Sequence, residues 1–381
     1  MRVGVVTHYM PPHHGGIERV AASLDVAYRE RGWQVRWLAS DSPKGATEGA
    51  KEDADRLRVP TWNVLEDRLG VPVPLWGPTG WRRLAELTRW ADVLHVHDCL
   101  YPGSYFGAAM ARRRGVPVFL TQHIGFVKYG SRLLNGIEHV AYRTMGRRLL
   151  RRVDRIVLAT PSAELWVNAL LPAGTPRQKI YNGIDLERFR PPSAEERRQA
   201  QGRLGLPEED RRTVLFVGRL VEKKGVPVVV EVARRHPEIR FLMVGDGPLA
   251  EQVSAAEGRI EHRRSVVPEE MPWIYRAADA FFLPSHGEGL PLVVQEAMAC
   301  GLPALVSEEE PFAREVTAGA AGGCLAAART PEAMAEALPA LFENGRGDAA
   351  RTYADARWGF PAMARQYAEV VEELVRSTED G

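Results

Sequence analysis

Ser285-His286-Gly287-Glu288-Gly289-Leu290-Pro291-Leu292-Val293-Val294-Gln295-Glu296-Ala297 follows the apolar run Ala280–Leu283 and decides how the chain is read. The apolar run reads as a buried strand and the Gly-bearing segment as a loop. The stretch 291–299 reads as a helix opening with Pro291 near its first position, where a missing N–H costs nothing. A helix that starts just past a strand's carboxyl end offers free amides and partial positive charge, which suit a diphosphate. Glu288 lies in the loop and Glu296 about two turns further on. One carboxylate can therefore reach a sugar hydroxyl while the other reaches a ribose diol. A surface glutamate and a helix-dipole glutamate would give the same letters; the strand–loop–helix context favours function.

Working outward, the second half alternates strands and helices: Thr213–Val217, then 226–236, Arg240–Val244, Ala280–Leu283, 291–299 and finally 303–306, which completes the sheet. Gly218-Arg219-Leu220 and Lys223-Lys224-Gly225 follow the first of these strands. Cations there can neutralise a leaving nucleoside diphosphate and lower the barrier to breaking a sugar–phosphate bond; the bland alternative is a solvated basic turn. Gly245-Asp246-Gly247-Pro248 reads first as a tight turn and second as a ligand loop.

The first half repeats the alternation, with strands at 2–7, 33–38, Val93–His97, Val118–Gln122 and Arg155–Leu158, and helices at 17–31 and 105–114 closed by Gly32 and Gly115. Such alternation means parallel sheets with helices on both faces. Residues 42–78 are polar and Pro/Gly-rich and read as a long surface excursion. We expect a first domain over 1–187, a second over 188–360, and a terminal amphipathic helix (361–381) packed back on the first. Two doubly wound domains facing across a cleft would bring the carboxyl ends of both sheets to one ligand site.

In the first half, His13-His14-Gly15-Gly16-Ile17-Glu18-Arg19 joins strand to helix, and paired glycines allow close approach of backbone to substrate. His8, His13 and His14 lack a carboxylate or Cys at a recognisable ligand spacing, so no metal is expected there. His97 and His123 each stand at a strand's carboxyl end, where a histidine can orient or activate a hydroxyl. Burial as a structural histidine is the competing reading, favoured more for His95 and His97 than for His123. Asp53-Ala54-Asp55 matches the acidic triplet of metal-dependent sugar transferases, but no strand precedes it and it is set aside.

A length of 381 residues accommodates two α/β domains, and a formal net charge of +1 gives no overall bias toward nucleic acid. Any positive field that matters must be local. Cys99, Cys300 and Cys324 are too few and scattered for a disulfide framework and fit a reducing compartment. The first ten residues show neither the apolar stretch nor the cleavage site of a signal peptide. No stretch approaches the roughly 18 apolar residues of a spanning helix. A cytoplasmic protein is expected, soluble or peripheral on the inner face of the cell membrane.

In these residues the chain resembles glycosyltransferase family 4, the retaining family of GT-B fold, over nearly its whole length. The likeness runs through Gly15-Gly16, the 92–97 strand, the 121–125 histidine segment, Asn182-Gly183-Ile184-Asp185, Gly218-Arg219-Leu220, Lys224-Gly225, Gly245-Asp246-Gly247-Pro248 and the Glu288 to Glu296 segment with its sequel to Pro303. The resemblance implies that Arg219 and Lys224 hold the donor diphosphate, that Glu288 contacts the donor sugar and Glu296 the ribose, and that His123 lies beside the reacting centre. Gly15, Gly16, Gly289, Leu290 and Leu292 complete the implied donor site. It further implies transfer without metal or other cofactor, by a front-face mechanism in which the leaving phosphate oxygen takes the acceptor's proton. Two positions depart from the family pattern. Pro291 removes an amide where many members have glycine, so that contact falls to a neighbour, and Ser265 stands where a glycine is usual, at the base pocket.

The expected donor is a UDP-, GDP- or ADP-sugar, and the acceptor a hydroxyl on a glycan, a lipid-linked sugar or a small molecule. Arg143, Arg147, Arg151 and Arg155 recur every four residues on an expected helix, joined by Arg148 and Arg152, with Met145, Leu149, Leu150 and Val153 as apolar positions and Phe126, Val127, Tyr129, Leu133 and Leu134 before them. Such a surface can sit on anionic lipid; the alternative is a solvated arginine face over a buried helix. A sugar-nucleotide epimerase of the same fold and a silent nucleotide-sugar sensor are the competing functions. A dehydrogenase is disfavoured, because the first strand leads to a His/Pro loop and not to a compact G-x-G-x-x-G turn.

Overall fold

The computed structural model describes residues 1–11, 16–41, 54–62, 75–125, 132–206, 211–256 and 260–379. The chain divides into two compact units, Met1–Gly183 with Pro361–Gly381, and Ile184–Phe360.

The first unit is built on a parallel sheet of β1 (Arg2–Tyr9), β2 (Gln34–Ser40), β3 (Arg56–Val59), β6 (Val93–His97), β7 (Val118–Gln122), β8 (Arg155–Leu158) and β9 (Arg177–Lys179), while β4 (Thr61–Trp62) and β5 (Leu75–Trp76) form a separate antiparallel pair. Spatial order is β3-β2-β1-β6-β7-β8-β9. The inner strands β6 and β7 are buried throughout, as parallel strands covered on both faces must be. The second unit carries β10 (Thr213–Val217), β11 (Arg240–Val244), β12 (Ile260–Arg263), β13 (Ala280–Leu283), β14 (Ala304–Ser307) and β15 (Cys324–Ala327), ordered β12-β11-β10-β13-β14-β15. All its pairs are parallel. In each unit the order reverses beside the first strand, at β1/β6 and at β10/β13. Ligands of doubly wound sheets collect outside the carboxyl ends at that reversal.

Besides the short β4–β5 pair, four strands escaped the sequence reading: β3, β9, β12 and β15. β3 lies inside the stretch read as a surface excursion. Its Arg-Leu-Arg-Val alternation leaves only Val59 fully buried, and Arg56 reaches Asp25 at 3.3 Å, so an edge strand is built from residues that read as loop. The Asp53–Asp55 triplet precedes it: Asp55 pairs with Arg29 at 3.2 Å and Arg36 at 3.7 Å, and Asp53 is outside the described residues. The first sheet runs on past β8 to β9, and the second past β14 to β15, because edge strands carry weaker apolar signals than the centre. The helix expected over 105–114 starts earlier, at Pro102–Arg112, with proline in its first turn.

The terminal helix Phe360–Glu379 packs on the first sheet. Thr121 Oγ1 meets Tyr367 Oη at 3.3 Å and Arg155 pairs with Glu373 at 3.1 Å. Among the described residues no helix is long and apolar enough to cross a membrane.

Two left-handed glycines allow a test of how tightly the second unit's loops are held. Gly115 (φ 71°) has open space where a Cβ would go, whereas at Gly225 (φ 76°) a Cβ would stand 2.1 Å from the Pro284 carbonyl oxygen. Gly115→Ala should cost about 1 kcal/mol of backbone strain and Gly225→Ala at least about 2 kcal/mol, because the 284–291 loop must also shift. Urea unfolding of both variants measures the difference; equal losses would mean that the loop yields freely.

Candidate active site

At the reversal in the second unit, three loops are stitched together by their backbones. Gly218 N–H donates to the Val244 carbonyl (3.0 Å), Leu220 N–H to Asp246 (2.9 Å), and His286 N–H to Lys223 (3.0 Å). The loops after β10, β11 and β13 are therefore tied to one another. Lys224 Nζ lies 3.0 Å from Glu288 Oε2, with Lys223 Nζ 3.7 Å from Oε1. Lys224 and Glu288 are each 18% exposed, close enough to water to exchange partners. Arg219 is exposed in the loop after β10, and Gly289 and Leu290 follow Glu288 in the loop after β13.

The helix spans Leu292–Ala299, so Pro291 caps it from outside instead of standing inside its first turn. Its carbonyl accepts the first helical bond, from Val294 N–H at 3.0 Å. The amides of Leu292 and Val293 thus precede the helical ladder and are available to an anion. Glu296 is 3% exposed and accepts from Tyr275 Oη at 2.8 Å. That bond anchors one oxygen in the protein.

A carboxylate that the sequence reading missed lies behind Glu288. Glu310 is 1% exposed; its Oε1 accepts from Ser285 Oγ (2.9 Å) and its Oε2 from the Glu288 N–H (2.9 Å). It ties both ends of the 285–288 turn to the carboxyl end of β14. Burial pushes its carboxyl up to about 7, the two hydrogen bonds oppose the rise, and the Glu288 charge adds to it. The signal available in sequence was an acid three residues past a strand and directly before a helix-opening proline, Pro311.

In the first unit the reversal gathers histidines. His97 Nδ1 and His123 Nε2 are 2.8 Å apart with rings nearly parallel, and both residues are buried. Asp98, in left-handed backbone (φ 52°), accepts at Oδ1 from Gln122 Nε2 (2.8 Å) and from the His123 N–H (2.9 Å). Thr160 Oγ1 donates to the His123 carbonyl at 2.8 Å. His123 is thereby fixed by backbone on both sides. Burial holds His97 well below the ordinary imidazole range and takes His123 down to about 3, so both rings are neutral near pH 7. Burial also raises Asp98 to about 7, against the pull of the His123 and Ile124 amides.

A bond between two neutral imidazoles couples their tautomers. If His97 donates, His123 carries its proton on Nδ1 and offers a donor there; if His123 donates, its Nδ1 is an acceptor. His123 Nδ1 and Asp98 Oδ2 are buried without a hydrogen-bond partner among the described residues. Both atoms can serve a ligand, and a buried polar atom gains most from one. His95, read as structural, bonds Thr121 Oγ1 at 2.7 Å from beneath.

Gly16 opens the helix Gly16–Glu30, while Gly15, His13 and His14 lie outside the described residues. His8 stacks on Tyr101 at 4.0 Å. Ser265 is exposed just past β12.

The arginine stretch departs from the expected single helix. Arg132–Ala141 is helical, Tyr142–Gly146 is a π turn, Arg147–Leu150 is helical again, and Arg155 opens β8. The four-residue recurrence of arginine therefore marks no single helix face. Leu149, Leu150 and Val153 belong to the buried core, and Met145 is 41% exposed. The exposed apolar stripe lies upstream: Leu133, Ile137 and Val140, at helical spacing, are 57–73% exposed. Phe126, Val127 and Tyr129 are outside the described residues.

Comparison with known proteins bears on these features. Residues 14–188 match the family described as Glycosyltransferase Family 4, and residues 198–357 that described as Glycosyl transferases group 1. The chain is 28% identical to the phosphatidyl-myo-inositol mannosyltransferase of Mycobacterium leprae, over 99% of its own length and 98% of that protein's. It is 30% identical to the D-inositol 3-phosphate glycosyltransferase of Mycobacterium bovis, over 57% of this chain and 47% of that one. In fold it matches sucrose-phosphate synthase from Thermosynechococcus elongatus (TM-score 0.77, 18% identity, 99% of each chain). It also matches Anabaena HepE solved with UDP-glucose (TM-score 0.74, 18% identity, 98% of this chain and 100% of that one). The chain belongs to glycosyltransferase family 4 and is a glycosyltransferase with the two Rossmann-like domains of the GT-B class.

Glu310 makes the second unit's stability depend on pH. Its folded-state value of about 7 stands above the ordinary 4.5, so stability is greatest below pH 4.5 and is lost as pH rises through 7. The loss is on the order of 3 kcal/mol. Glu310→Gln can keep both bonds, its amide oxygen accepting from Glu288 and its amide nitrogen donating to Ser285, while removing the ionisation. Thermal unfolding should show the Gln variant gaining on the parent between about pH 5 and pH 8; a constant difference would show that Glu310 does not titrate in that window.

Proposed function

We propose that the protein transfers a hexose from a UDP-, GDP- or ADP-sugar to a hydroxyl acceptor with retention of anomeric configuration and without a metal. The observation that carries this reading is the Lys224–Glu288 pair beside the free amides of Leu292 and Val293. A diphosphate brings more negative charge than one carboxylate, so it can draw Lys224 from Glu288 and settle on the helix start with Arg219. Glu288, released, is free to accept from a sugar hydroxyl, and the second oxygen of Glu296 serves the ribose.

In the proposed step the bond between the anomeric carbon and the phosphate oxygen breaks first, with its electron pair leaving on the diphosphate. The cations and helix amides hold that charge. The acceptor hydroxyl then attacks on the face the diphosphate left, and its proton passes to the departing phosphate oxygen. No base of the protein is required. His123 Nδ1 orients the reacting groups, and its neutral state keeps an added positive charge away from the oxocarbenium-like sugar. Water is kept out by the burial of the histidine cluster.

The acceptor is proposed to be lipid-linked or an envelope glycan, reached at the cytoplasmic face of the membrane. Two observations support this: the full-length similarity to a phosphatidyl-myo-inositol mannosyltransferase, and the exposed stripe Leu133, Ile137 and Val140 followed by Arg147 and Arg151. An apolar stripe with adjoining arginines suits the boundary between acyl chains and anionic headgroups.

Lys224→Ala and Glu296→Ala should each weaken nucleotide-sugar binding about 10- to 100-fold in titration calorimetry. His123→Ala should leave binding nearly intact and lower turnover about 10²- to 10³-fold in a diphosphate-release assay. Product NMR reads the anomer, and a changed sugar without an acceptor would indicate epimerisation instead. Unchanged kinetics in all three variants would remove the site assignment. For the membrane, Ile137→Glu with Val140→Glu should abolish sedimentation with anionic vesicles; undiminished sedimentation would refute attachment through this stripe.

A further inference from the structure

The first unit holds a second cluster of cations, remote in sequence from the histidines. The end of the helix Pro102–Arg112 and the segment from Arg148 to Arg152 border one cavity of about 570 Å³. Arg112, Arg113, Arg148 and Arg152 line it, above an apolar floor that includes Tyr105, Ala108 and Leu149. Arg112 Nη1 donates to the Arg152 carbonyl at 2.8 Å, which joins the two walls. Among the described residues none of the four guanidiniums meets a carboxylate.

Several neighbouring arginines elsewhere in this chain are answered by acids. Arg29 and Arg56 share Asp25, Arg197 and Arg212 share Asp279, and Arg190 grips Glu196 with two nitrogens. Four like charges around one recess, left without that compensation, repel one another and favour an anion between them. Arginine forks match phosphate oxygens in pairs, and an apolar floor lowers the local dielectric and strengthens those bonds. We propose that this recess binds a phosphate group bearing at least two negative charges, carried on a lipid headgroup or on a soluble phosphate compound. The inference does not require the transferase reading, since the four arginines take no part in it.

The probes are inorganic pyrophosphate and vesicles of phosphatidylcholine with or without phosphatidic acid. Binding is measured in a Lys224→Ala/Arg219→Ala background, which weakens the diphosphate contacts proposed for the other unit, and with Ile137→Glu/Val140→Glu for the vesicles, which removes the apolar stripe. The paired variants are Arg113→Gln/Arg148→Gln, whose folding is checked by thermal unfolding, and Arg113→Lys/Arg148→Lys. The Gln pair should weaken binding at least about tenfold, and the Lys pair should restore it only in part, because lysine keeps the charge and loses the fork. Pyrophosphate binding that the Gln pair loses identifies a soluble ligand as sufficient. Binding confined to phosphatidic acid vesicles and lost in the Gln pair identifies a headgroup. No binding to either probe, binding unchanged by the Gln pair, or full restoration by lysine would overturn the proposal, the last because a diffuse positive field would then explain the result without a built recess.

Discussion

Glu288 is held from the front by Lys224 and from behind, through its backbone N–H, by Glu310. Much of the second unit's site depends on that arrangement. A carboxylate between partly exposed lysines and a buried acid is kept in place without being locked, because the buried acid holds its backbone and the lysines its side chain. The side chain can change partner while the backbone stays fixed. With burial pushing Glu310 up to about 7, the buried acid is partly neutral near physiological pH, which limits the negative charge facing an incoming diphosphate. The arrangement is thus prepared for a polyanion even though two acids stand in it.

The histidine cluster of the first unit solves the opposite problem. There the groups must be polar and directional without carrying charge. Deep burial keeps both His97 and His123 neutral, and their mutual bond fixes which nitrogen of His123 is left for a ligand. Asp98 and Thr160 fix the backbone of His123 instead of its ring. The imidazole therefore keeps one free nitrogen on a rigid support, the condition for orienting a hydroxyl with little reorganisation.

The central strands were legible in the sequence because buried parallel strands are short continuous apolar runs, and Val93–His97, Val118–Gln122, Thr213–Val217, Arg240–Val244 and Ala280–Leu283 stand where that pattern puts them. Edge strands were not, since β3 and β12 bury one residue each and otherwise read as polar loop. Among functional groups, residues inside a strand–loop–helix motif were readable, as with Glu288 and Lys224. Glu310 and Asp98 were not. Their role is to accept hydrogen bonds from a loop elsewhere in sequence, and a place near a strand end, the one local sign, does not name that partner. The arginine recurrence misled for a related reason: the π turn at Tyr142–Gly146 breaks the helical phase that spacing assumes.

A formal net charge of +1 describes the whole chain and says little about any patch of it. Many arginines pair within the protein with acids placed on the same or a neighbouring element, so those contribute structure and little external field. The four around the recess at Leu149 do not share that arrangement. At physiological ionic strength a field from exposed charges fades within about 8 Å. Such a cluster therefore does little to steer distant molecules and acts on what is already at the surface. The same reasoning separates the two cationic regions of the chain. The lysines beside Glu288 carry an internal counter-ion that a ligand must displace, which favours discrimination among anions, whereas the uncompensated arginines favour retention of any phosphate that fits the recess.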